Sequence, residues 1–375
     1  QYPTYNSYGD MGESLAWRVK TYLQWTGWLQ YIPNLVVAVV VLTIALLLQW
    51  LGCTRSSQLL YAFGVFLLGV LVFDLVTVKL GLHPSEKIPN RPDDMDPFDV
   101  MVQRRSCRSF QADRDLRASD LEELLEAVKI QTAPSRLLGT GKIRFEYVKE
   151  PLTVWPVVGA HEFLVAIAPK EYNRLAIVDV GRSLQKIVLQ ATRMGLATCW
   201  IGPGADHKSV ISKLGKRYSE DKDHIICVCA FGYASWYIPT AIAMLVQKMS
   251  RSRMPLEKLF FADPGFQEPL DTEASRYARF GRCYEACRWG PSSFNAQPVR
   301  CIGAEEGKRF DFYGANTSRY YTPVAVGIWL ANWETGCEAL GLKGRFFVIP
   351  GCERTPKSIQ SDGPVYDISW ICDEG

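Results

Sequence analysis

The sequence predicts an α+β protein in which one domain occurs twice in tandem and is preceded by two transmembrane helices. Three observations lead to this fold class. Two long apolar runs stand near the start of the chain, helical and strand-like patterns mix from about residue 95 onward, and two stretches of that later region recur in the same order. Mixed helical and strand patterns are typical of layered α+β domains.

Composition limits the class of protein. The chain has 375 residues, of which 48% are hydrophobic and 22% charged, so that about two globular domains with ordinary cores are expected. The net charge of +3 predicts that nucleic acid is not a partner. The 11 cysteines form no C-x-x-C pair and only 4 histidines occur, so no metal site is predicted and the thiols are expected to be buried in a reducing compartment.

The two apolar runs predict a membrane hairpin over residues 31–82. Tyr31–Leu51 carries no charge, and Leu59–Leu82 follows after the short segment GCTRSSQ. About 20 residues that each rise ~1.5 Å cross a hydrocarbon layer of ~30 Å. A signal peptide followed by a buried core helix is the alternative, but the first run is too long and begins too far from the start of the chain for a signal sequence.

Residues that flank the hairpin predict how it lies in the membrane. Asp74 and Lys79 are expected near the interface, where the long Lys79 side chain can reach the lipid headgroups. Basic residues outside the runs outnumber the loop residue Arg55, which predicts the soluble region on the cytoplasmic or equivalent side. The flanking basic residues are Arg18, Lys20, Lys79, Lys87 and Arg91.

Two further segments adjoin the hairpin. Residues 1–30 are rich in Trp and Tyr toward their end, which predicts an interfacial segment that contacts membrane lipid. A helix packed on the soluble domain is the alternative for this segment. Residues 83–95 combine prolines with alternating charges, and this pattern indicates a linker.

An internal repeat organises the rest of the chain. VDVGRSLQKIVLQATRMGL (178–196) aligns without a gap to VAVGIWLANWETGCEALGL (324–342), at a separation of 324 − 178 = 146. Upstream, TAPSRL (132–137) resembles GPSSFN (290–295) at a separation of 291 − 134 = 157, so that the first copy carries about eleven extra residues, expected around EPLTVWPVVG (150–159). We therefore predict a first half at 96–262 and a second at 263–375. Chance similarity between two amphipathic helices is the alternative.

Three motifs in order give the chain a family resemblance. They are QRRSCRSF (103–110), the helix, Gly-Leu turn and strand of 178–202, and GPSSFNAQPVR (290–300). Together they resemble the FMN-dependent nitroreductase family over roughly residues 96–375. That family is normally a homodimer with its flavins at the subunit interface. The tandem repeat resembles its single-chain branch, in which two halves imitate the dimer.

Basic residues at two places match the family's phosphate site. Planar guanidinium groups suit the dianionic phosphate of FMN. The resemblance implies that the 103–110 motif binds the phosphate and the ribityl chain, and that a second basic cluster after the last strand of the first half binds the same phosphate. A solvated surface is the alternative for either cluster alone. The residues concerned are Arg104, Arg105, Ser106 and Arg108, with Arg251 and Arg253.

The loop of the second half and one strand end complete the implied site. In the family the loop reaches across the interface to the flavin ring edge and the ribityl hydroxyls, although a capped helix N-terminus is also compatible with its serines. Backbone N–H groups of the strand end CWIGPG (199–204) would face the flavin N5, and Ile201 stands where many relatives have an acidic residue. The residues implied are Ile201, Gly202, Pro291, Ser292, Ser293, Asn295 and Gln297.

The motifs of the second pseudo-site are incomplete. The first half has APSRLLGTG where the second has GPSSFNAQP, and the second half lacks the R-R-S-x-R opening, having SRYARFGRC near the corresponding place. One complete set of the family's motifs remains, with the arginines in the first half and the GPSSFNAQP loop in the second. We therefore predict one FMN per chain between the halves, with the other pseudo-site empty or filled by side chains.

The resemblance implies a membrane-anchored FMN-dependent oxidoreductase that passes hydride from NADH or NADPH to a small conjugated acceptor. The acceptor would be a nitroaromatic or, as a membrane anchor favours, a quinone. Reductive dehalogenation, the activity of a membrane-tethered relative, stays open. No catalytic acid or base is assigned, because the cofactor carries the chemistry. The alternatives are a non-catalytic scaffold that binds other subunits of a membrane complex, and a flavin-binding sensor.

Overall fold

The computed structural model describes residues 15–92, 94–250, 252–350 and 363–373. In these residues an apolar helical hairpin precedes two α+β units, each built on its own sheet. The α+β class, the two apolar N-terminal helices and the duplicated architecture predicted from the sequence are thereby confirmed. The predicted segment boundaries (1–30, 31–82, 83–95, 96–262 and 263–375) stay predictions.

The elements follow one another in three groups. The N-terminal group is α1 (Leu15–Trp25), α2 (Ile32–Trp50) and α3 (Thr54–Asp74), which a π-helical turn (Leu75–Lys79) extends. The second group is α4 (Pro97–Gln103), α5 (Ala118–Gln131), β1 (Arg144–Lys149), β2 (Glu162–Pro169), α6 (Arg174–Arg193), β3 (Ala197–Ile201), α7 (His207–Leu214), β4 (Asp223–Gly232) and α8 (Thr240–Ser250). The third group is β5 (Phe260–Phe261), α9 (Ser275–Ala278), α10 (Cys283–Arg288), β6 (Val299–Ala304), β7 (Arg309–Gly314), α11 (Tyr321–Ala339), β8 (Gly344–Phe347) and β9 (Val365–Cys372).

The two sheets have related but unequal topologies. The first has the strand order β1-β2-β4-β3 and is antiparallel, and the second has the order β5-β6-β7-β9-β8, in which only β5 and β6 run parallel. The loop from β1 to β2 spans 150–161, whereas the loop from β6 to β7 spans only 305–308. The extra residues of the first half therefore lie largely where the sequence placed them.

Alternation along β2 divides the first core into two layers. Leu164, Ala166 and Ala168 pack on the side of α5 and α6, while Phe163 and Ile167 pack on the side of α7. Successive side chains of a strand point to opposite faces of its sheet. Both faces of this strand are thus covered, which explains its continuous apolar sequence.

The two repeated helices cross at glycines that are related by the repeat. A Cβ on Gly181 of α6 would lie 2.2 Å from the Val324 carbonyl oxygen, and a Cβ on Gly327 of α11 would lie 2.0 Å from the Val178 carbonyl oxygen. The repeat separation relates both pairs, because 178 + 146 = 324 and 181 + 146 = 327. The contact is therefore reciprocal, as in a two-fold symmetric dimer interface.

The helix α4 belongs to the second core although it lies in the first half of the sequence. Phe98 and Met101 are buried in the same cluster as Phe310, Trp333 and Trp370. This exchange ties the two units together, and it carries the chain directly from the second core to the segment that begins at Arg104.

The apolar helices have the length and composition of membrane spans. The two candidate spans are Leu29–Trp50 and Thr54–Lys79, each with a mean hydropathy of 2.5 over its most apolar window. They pack on small residues, since a Cβ on Gly64 would lie 2.5 Å from Leu42 Cδ2 and Ala38 is fully buried. The second span begins earlier than predicted because the polar residues from Thr54 form its first turn, and it ends before Gly81, which has a φ of +64°.

Polar contacts join the base of the hairpin to the body. Asp74 is buried, and its carboxylate accepts a hydrogen bond of 2.8 Å from the backbone N–H of Thr240 at the start of α8. Lys79 Nζ donates to the Thr26 carbonyl at 2.8 Å and lies 5.0 Å from the ring centroid of Trp28. A carboxylate at a helix N-terminus satisfies a backbone donor that the helix cannot. Asp74 thus has a partner within the protein.

Candidate functional site

The candidate site begins where α4 ends. The backbone of Ser106 forms a parallel bridge with Thr198 of β3, and Cys107 N–H donates to the Thr198 carbonyl at 2.8 Å. These bonds hold the segment 104–108 along the edge of the first sheet. Arg104, at the C-cap of α4, is 4% exposed and lies within electrostatic reach of Cys199 on β3, as does Arg108.

Three arginines from two separate segments meet at this edge. The guanidinium of Arg105 lies 4.7 Å from the ring centroid of Trp289, and that of Arg253 lies 5.2 Å from the same ring. Burial, together with the positive charges of Arg253 and Arg105, lowers the pKa of Arg104 to about 10. Burial also lowers the pKa of Arg253, with a contribution from Arg105 and Arg288. We call Arg104, Arg105 and Arg253 the arginine cluster.

The arginine cluster lacks an acidic counterpart among the residues that the structure describes. Within the described part of the chain, none of its three members forms an ion pair with a carboxylate. Buried guanidinium nitrogens without a hydrogen-bond partner remain at Arg104 Nε and Nη1, at Arg108 Nε and at Arg253 Nε. Buried charges are ordinarily paired and hydrogen-bonded. The arrangement therefore suits an anionic ligand that supplies the missing acceptors.

The loop of the second half lies beside the arginine cluster. Asn295 Oδ1 accepts a hydrogen bond from Arg253, and Asn295 Nδ2 donates to the Ser252 carbonyl at 2.7 Å. Gln297 Oε1 accepts a hydrogen bond from the backbone N–H of Met254 at 2.8 Å, and the backbone N–H of Gln297 donates to Ser292 Oγ at 2.9 Å. Asn295 and Gln297 thus attach the loop to the second basic segment across the two halves.

This loop has an unusual backbone. Phe294, Asn295 and Gln297 all have positive φ angles, of 51°, 54° and 47°. Such angles are uncommon outside glycine and often mark functional turns. Pro291 and Ser293 flank the turn, and the Ser293 carbonyl accepts from Ala296 N–H at 3.1 Å. The loop is therefore held in one shape by its own hydrogen bonds and by the 252–254 segment.

The strand end that the sequence placed at the flavin N5 lies at the junction of the halves. Ile201 is buried in the first core. A Cβ on Gly202 would lie 2.8 Å from Cε1 of Tyr321 in the second half, and a Cβ on Gly204 would lie 2.0 Å from the Trp155 carbonyl oxygen. Both glycines therefore permit a close approach of other parts of the protein to the strand end.

The structure therefore brings together most of the predicted residues. Arg104 and Arg105 lie close to Arg253, which binds Asn295 of the 292–297 loop, while Ser106 and Arg108 lie beside β3, which ends at Ile201. Arg251 lies outside the described residues. Trp289 and Arg288 were not predicted. Trp289 directly precedes the GPSSFN motif, but its contacts with Arg105 and Arg253 join distant parts of the chain, so no signal in the sequence indicated its role.

The corresponding loop of the first half is held by side chains of the chain itself. The Asp179 carboxylate accepts from Leu138 N–H at 2.8 Å and from Gly139 N–H at 2.9 Å. The repeat relates Asp179 to Ala325, since 179 + 146 = 325, so the second half has no carboxylate at the equivalent position. Nearby, Arg182 donates to the Arg136 carbonyl at 2.6 Å and pairs with Glu334 at 2.7 Å. The loss of one of the two sites stays a prediction.

A groove elsewhere on the surface does not offer the same chemistry. It lies along α5, has a volume of about 1140 Å³, and is lined by apolar residues such as Leu121 and Leu125 together with Glu122 and Glu126. Carboxylates repel a phosphate, whereas the arginine cluster attracts one. We therefore place the candidate site at the arginine cluster.

The family is defined by comparison with known proteins. The family model described as "Putative TM nitroreductase" matches residues 97–336, which is more than half of the chain. The chain belongs to this nitroreductase family, and the resemblance inferred from its motifs is confirmed. No curated protein matches the chain.

Solved nitroreductase structures are similar to parts of this chain at low sequence identity. A "putative nitroreductase" from Thermotoga maritima is 17% identical with a TM-score of 0.44, and the match covers 78% of this chain and 96% of that one. An FMN-dependent nitroreductase from Clostridium difficile is 22% identical with a TM-score of 0.30, over 36% of this chain and 86% of that one. A nitroreductase with bound FMN from Bacteroides fragilis is 17% identical with a TM-score of 0.30, over 38% and 89%.

Proposed function

We propose that the chain is a membrane-anchored FMN-dependent oxidoreductase that passes hydride from NADH or NADPH to a small conjugated acceptor. The observation that carries this proposal is the arginine cluster with its unpartnered buried nitrogens. A family whose members act on nitro compounds supplies the reaction class. The acceptor would be a nitroaromatic or a quinone-like molecule.

The residues present fit the phosphate of FMN. Arg104 and Arg253 offer buried N–H donors, and Arg105 adds a third positive charge held against Trp289. Guanidinium–phosphate hydrogen bonds are among the stronger ones in proteins. Ser106 and the loop residues Ser292, Ser293 and Asn295 would hold the ribityl chain, and the backbone at Ile201 and Gly202 would face the ring. When bound, FMN supplies the capacity to accept hydride and release it to the acceptor.

The membrane anchor rests on the apolar hairpin. Large apolar side chains of α2 and α3, including Val36, Leu46, Val65 and Phe66, are exposed. In water such a surface is strongly unfavourable, and in a bilayer it is matched by the hydrocarbon. We propose two spans with the soluble region on the cytoplasmic or equivalent side, where other subunits of a membrane complex would be its partners.

A specific contact favours a second candidate, the non-catalytic scaffold. The ring of Tyr321 lies against Gly202, at the strand end where the resemblance places the flavin ring. If Tyr321 stays there, the flavin ring has less room and the nitroreductase body would serve only as a binding surface. Flavin content and turnover separate the two candidates.

Purification of the full chain in mild detergent with added FMN tests the proposed function. We expect a yellow protein that oxidises NADH or NADPH in the presence of a quinone. Arg104→Ala combined with Arg108→Ala should release the flavin, while Arg276→Ala, at a half-exposed surface arginine, should retain it. A colourless wild-type protein would support the scaffold, and unchanged flavin retention in the double variant would refute the phosphate assignment.

A further inference from the structure

The exposed apolar residues of the body are concentrated around the base of the hairpin. Outside the two candidate spans and Leu51 in the turn between them, the described part of the chain exposes thirteen large apolar side chains, and of these Leu125, Ile130 and Leu340 lie on other elements. The other ten belong to α1, to the segments that flank the spans, to the segment before α8, to α8 itself and to the loop that touches α8. They are Leu15, Val19, Tyr22, Trp28, Leu80, Leu82, Trp236, Met244, Leu245 and Phe294.

The helix α8 lies at the level of the hairpin base. Its first N–H group binds Asp74, and it contacts the start of α2 and the turn before it. Ile242 faces inward and is 2% exposed, whereas Met244 is 66% exposed. The helix therefore has one face on the protein and an apolar face, at Met244 and Leu245, that is exposed.

The segment before α8 is fixed to the same base. The Tyr237 ring stacks on His83 at 4.3 Å and lies 6.3 Å from Phe73 of α3. Glu86 accepts from Trp236 N–H at 2.6 Å and from Ser235 Oγ at 2.7 Å. These bonds hold Trp236, which is 88% exposed, beside the exit of the hairpin.

We propose that α8, Trp236 and Phe294 lie in the headgroup layer of the bilayer, so that the soluble body rests on the membrane through this surface. The surface, which we call the α8 face, consists of Trp236, Met244, Leu245 and Phe294. This inference goes beyond the membrane anchor of the proposed function and rests on it, because only an inserted hairpin brings the α8 face to lipid.

Charge and side-chain type support lipid as the occupant. The sequence of α8, TAIAMLVQKMS, has no acidic residue, and Lys248 and Arg251 follow its apolar part. Exposed Trp and apolar residues combined with basic ones are typical of helices that lie at the interface of anionic membranes. Because α8 also contacts the Ser293–Asn295 turn, lipid contact would bring the loop of the candidate site to the bilayer surface.

Spin labels in the full chain test the α8 face. Single cysteines replace Met244, Leu245 and Phe294 in a background with Cys53, Cys107 and Cys352 changed to serine, and the protein is reconstituted in vesicles of phosphatidylcholine and phosphatidylglycerol. Collision of the label with lipid-soluble oxygen is compared with collision with a water-soluble nickel chelate. A label at Glu122→Cys on α5 gives the aqueous reference, and one at Val65→Cys in α3 reports insertion of the hairpin.

We expect the three labels of the α8 face to collide with oxygen severalfold more often, relative to nickel, than the Glu122 label does. If the Val65 label shows the lipid pattern while the α8 labels match Glu122, this inference is wrong and the anchor stands. If the Val65 label also shows the aqueous pattern, both fail. Dipolar broadening between labels would instead identify a second copy of the chain as the occupant and overturn the proposal.

Discussion

Arg104 carries a positive charge into a buried place where the described residues offer it no carboxylate. Isolated buried charges are costly, and burial accordingly lowers the pKa of this guanidinium to about 10. Such a residue destabilises the ligand-free protein and strengthens the binding of an anionic ligand. Its removal should therefore raise the stability of the ligand-free protein and lower its affinity for the ligand.

The change Arg104→Met tests this opposition. In the flavin-free protein we expect the free energy of unfolding to rise by about 1–3 kcal/mol, because an uncompensated charge is removed. FMN affinity should fall by roughly 10- to 100-fold, the loss expected for one charge-assisted hydrogen bond of ~1.5–3 kcal/mol. Denaturation and flavin titration measure the two effects, and Arg276→Met is the surface control. A ligand-free protein that loses stability would contradict the interpretation.

Asp179 should make stability depend on pH in an unusual direction. Burial raises its pKa from 3.8 to about 6, against the opposing hydrogen bonds from Leu138 and Gly139. The folded state then binds more protons than the unfolded state between these values. The contribution of Asp179 to the free energy of unfolding is thus full below pH ~4 and falls as the pH rises to about 6, by at most about 3 kcal/mol.

The variant Asp179→Asn cannot titrate, so this decrease between pH 4 and 6 should disappear. Chemical denaturation at several pH values in mild detergent measures the slope for both proteins. Equal slopes in the variant and the wild type would show that another group causes the dependence.

Residue chemistry was partly visible in the sequence. The arginines and the GPSSFNAQP loop stood out because their residue types suit a phosphate and a tight turn. The stacking of Arg105 and Arg253 on Trp289 could not be predicted, because it joins residues that are far apart in the chain and depends on how the two halves pack. The contacts of Asp179 could not be predicted either, since a single carboxylate in a helical pattern does not indicate which backbone N–H groups it will bind.

At the scale of elements, the crossing of α6 and α11 depends on two glycines. Gly181→Ala or Gly327→Ala would place a methyl group about 2 Å from a backbone carbonyl oxygen of the other helix. Backbone atoms cannot move aside as a flexible side chain can, so the helices would separate. We expect each variant to lose at least about 3 kcal/mol of stability, at the upper end of overpacking effects.

A glycine in another helix provides the control for this prediction. A Cβ on Gly69 of α3 meets no atom within 4 Å, so Gly69→Ala should leave the stability of the body unchanged. Thermal unfolding in detergent compares the three variants. A Gly181→Ala protein as stable as Gly69→Ala would mean that the helices cross elsewhere.

The elements themselves were predictable to different degrees. The hairpin follows from local composition, and the repeated helices follow from a repeated pattern, so both could be read from the sequence. The insertion of α4 into the second core could not, because Phe98 and Met101 are apolar residues that would fit either core. The role of Asp74 was missed for a similar reason, as its partner Thr240 lies 166 residues away.

For the whole molecule, the asymmetry between the two pseudo-sites predicts the flavin content. Side chains of Asp179 and Arg182 hold the first-half loop, whereas buried arginine nitrogens lack partners at the other site. We expect one FMN per chain when the extracted flavin is compared with the protein concentration. A ratio of two would show that the side chains at the first-half loop give way to a second cofactor.

The reciprocal contact at Gly181 and Gly327 joins two copies that differ in their site motifs, and their linkage in one chain allows this difference to persist. If the copies were separate subunits, a version that had lost one set of motifs would pair at random, and some assemblies would contain no complete site. Joined in one polypeptide, each copy always meets the other, whatever the concentration of the protein. One half can thus supply the arginines and the other half the loop, and every molecule still contains one complete site.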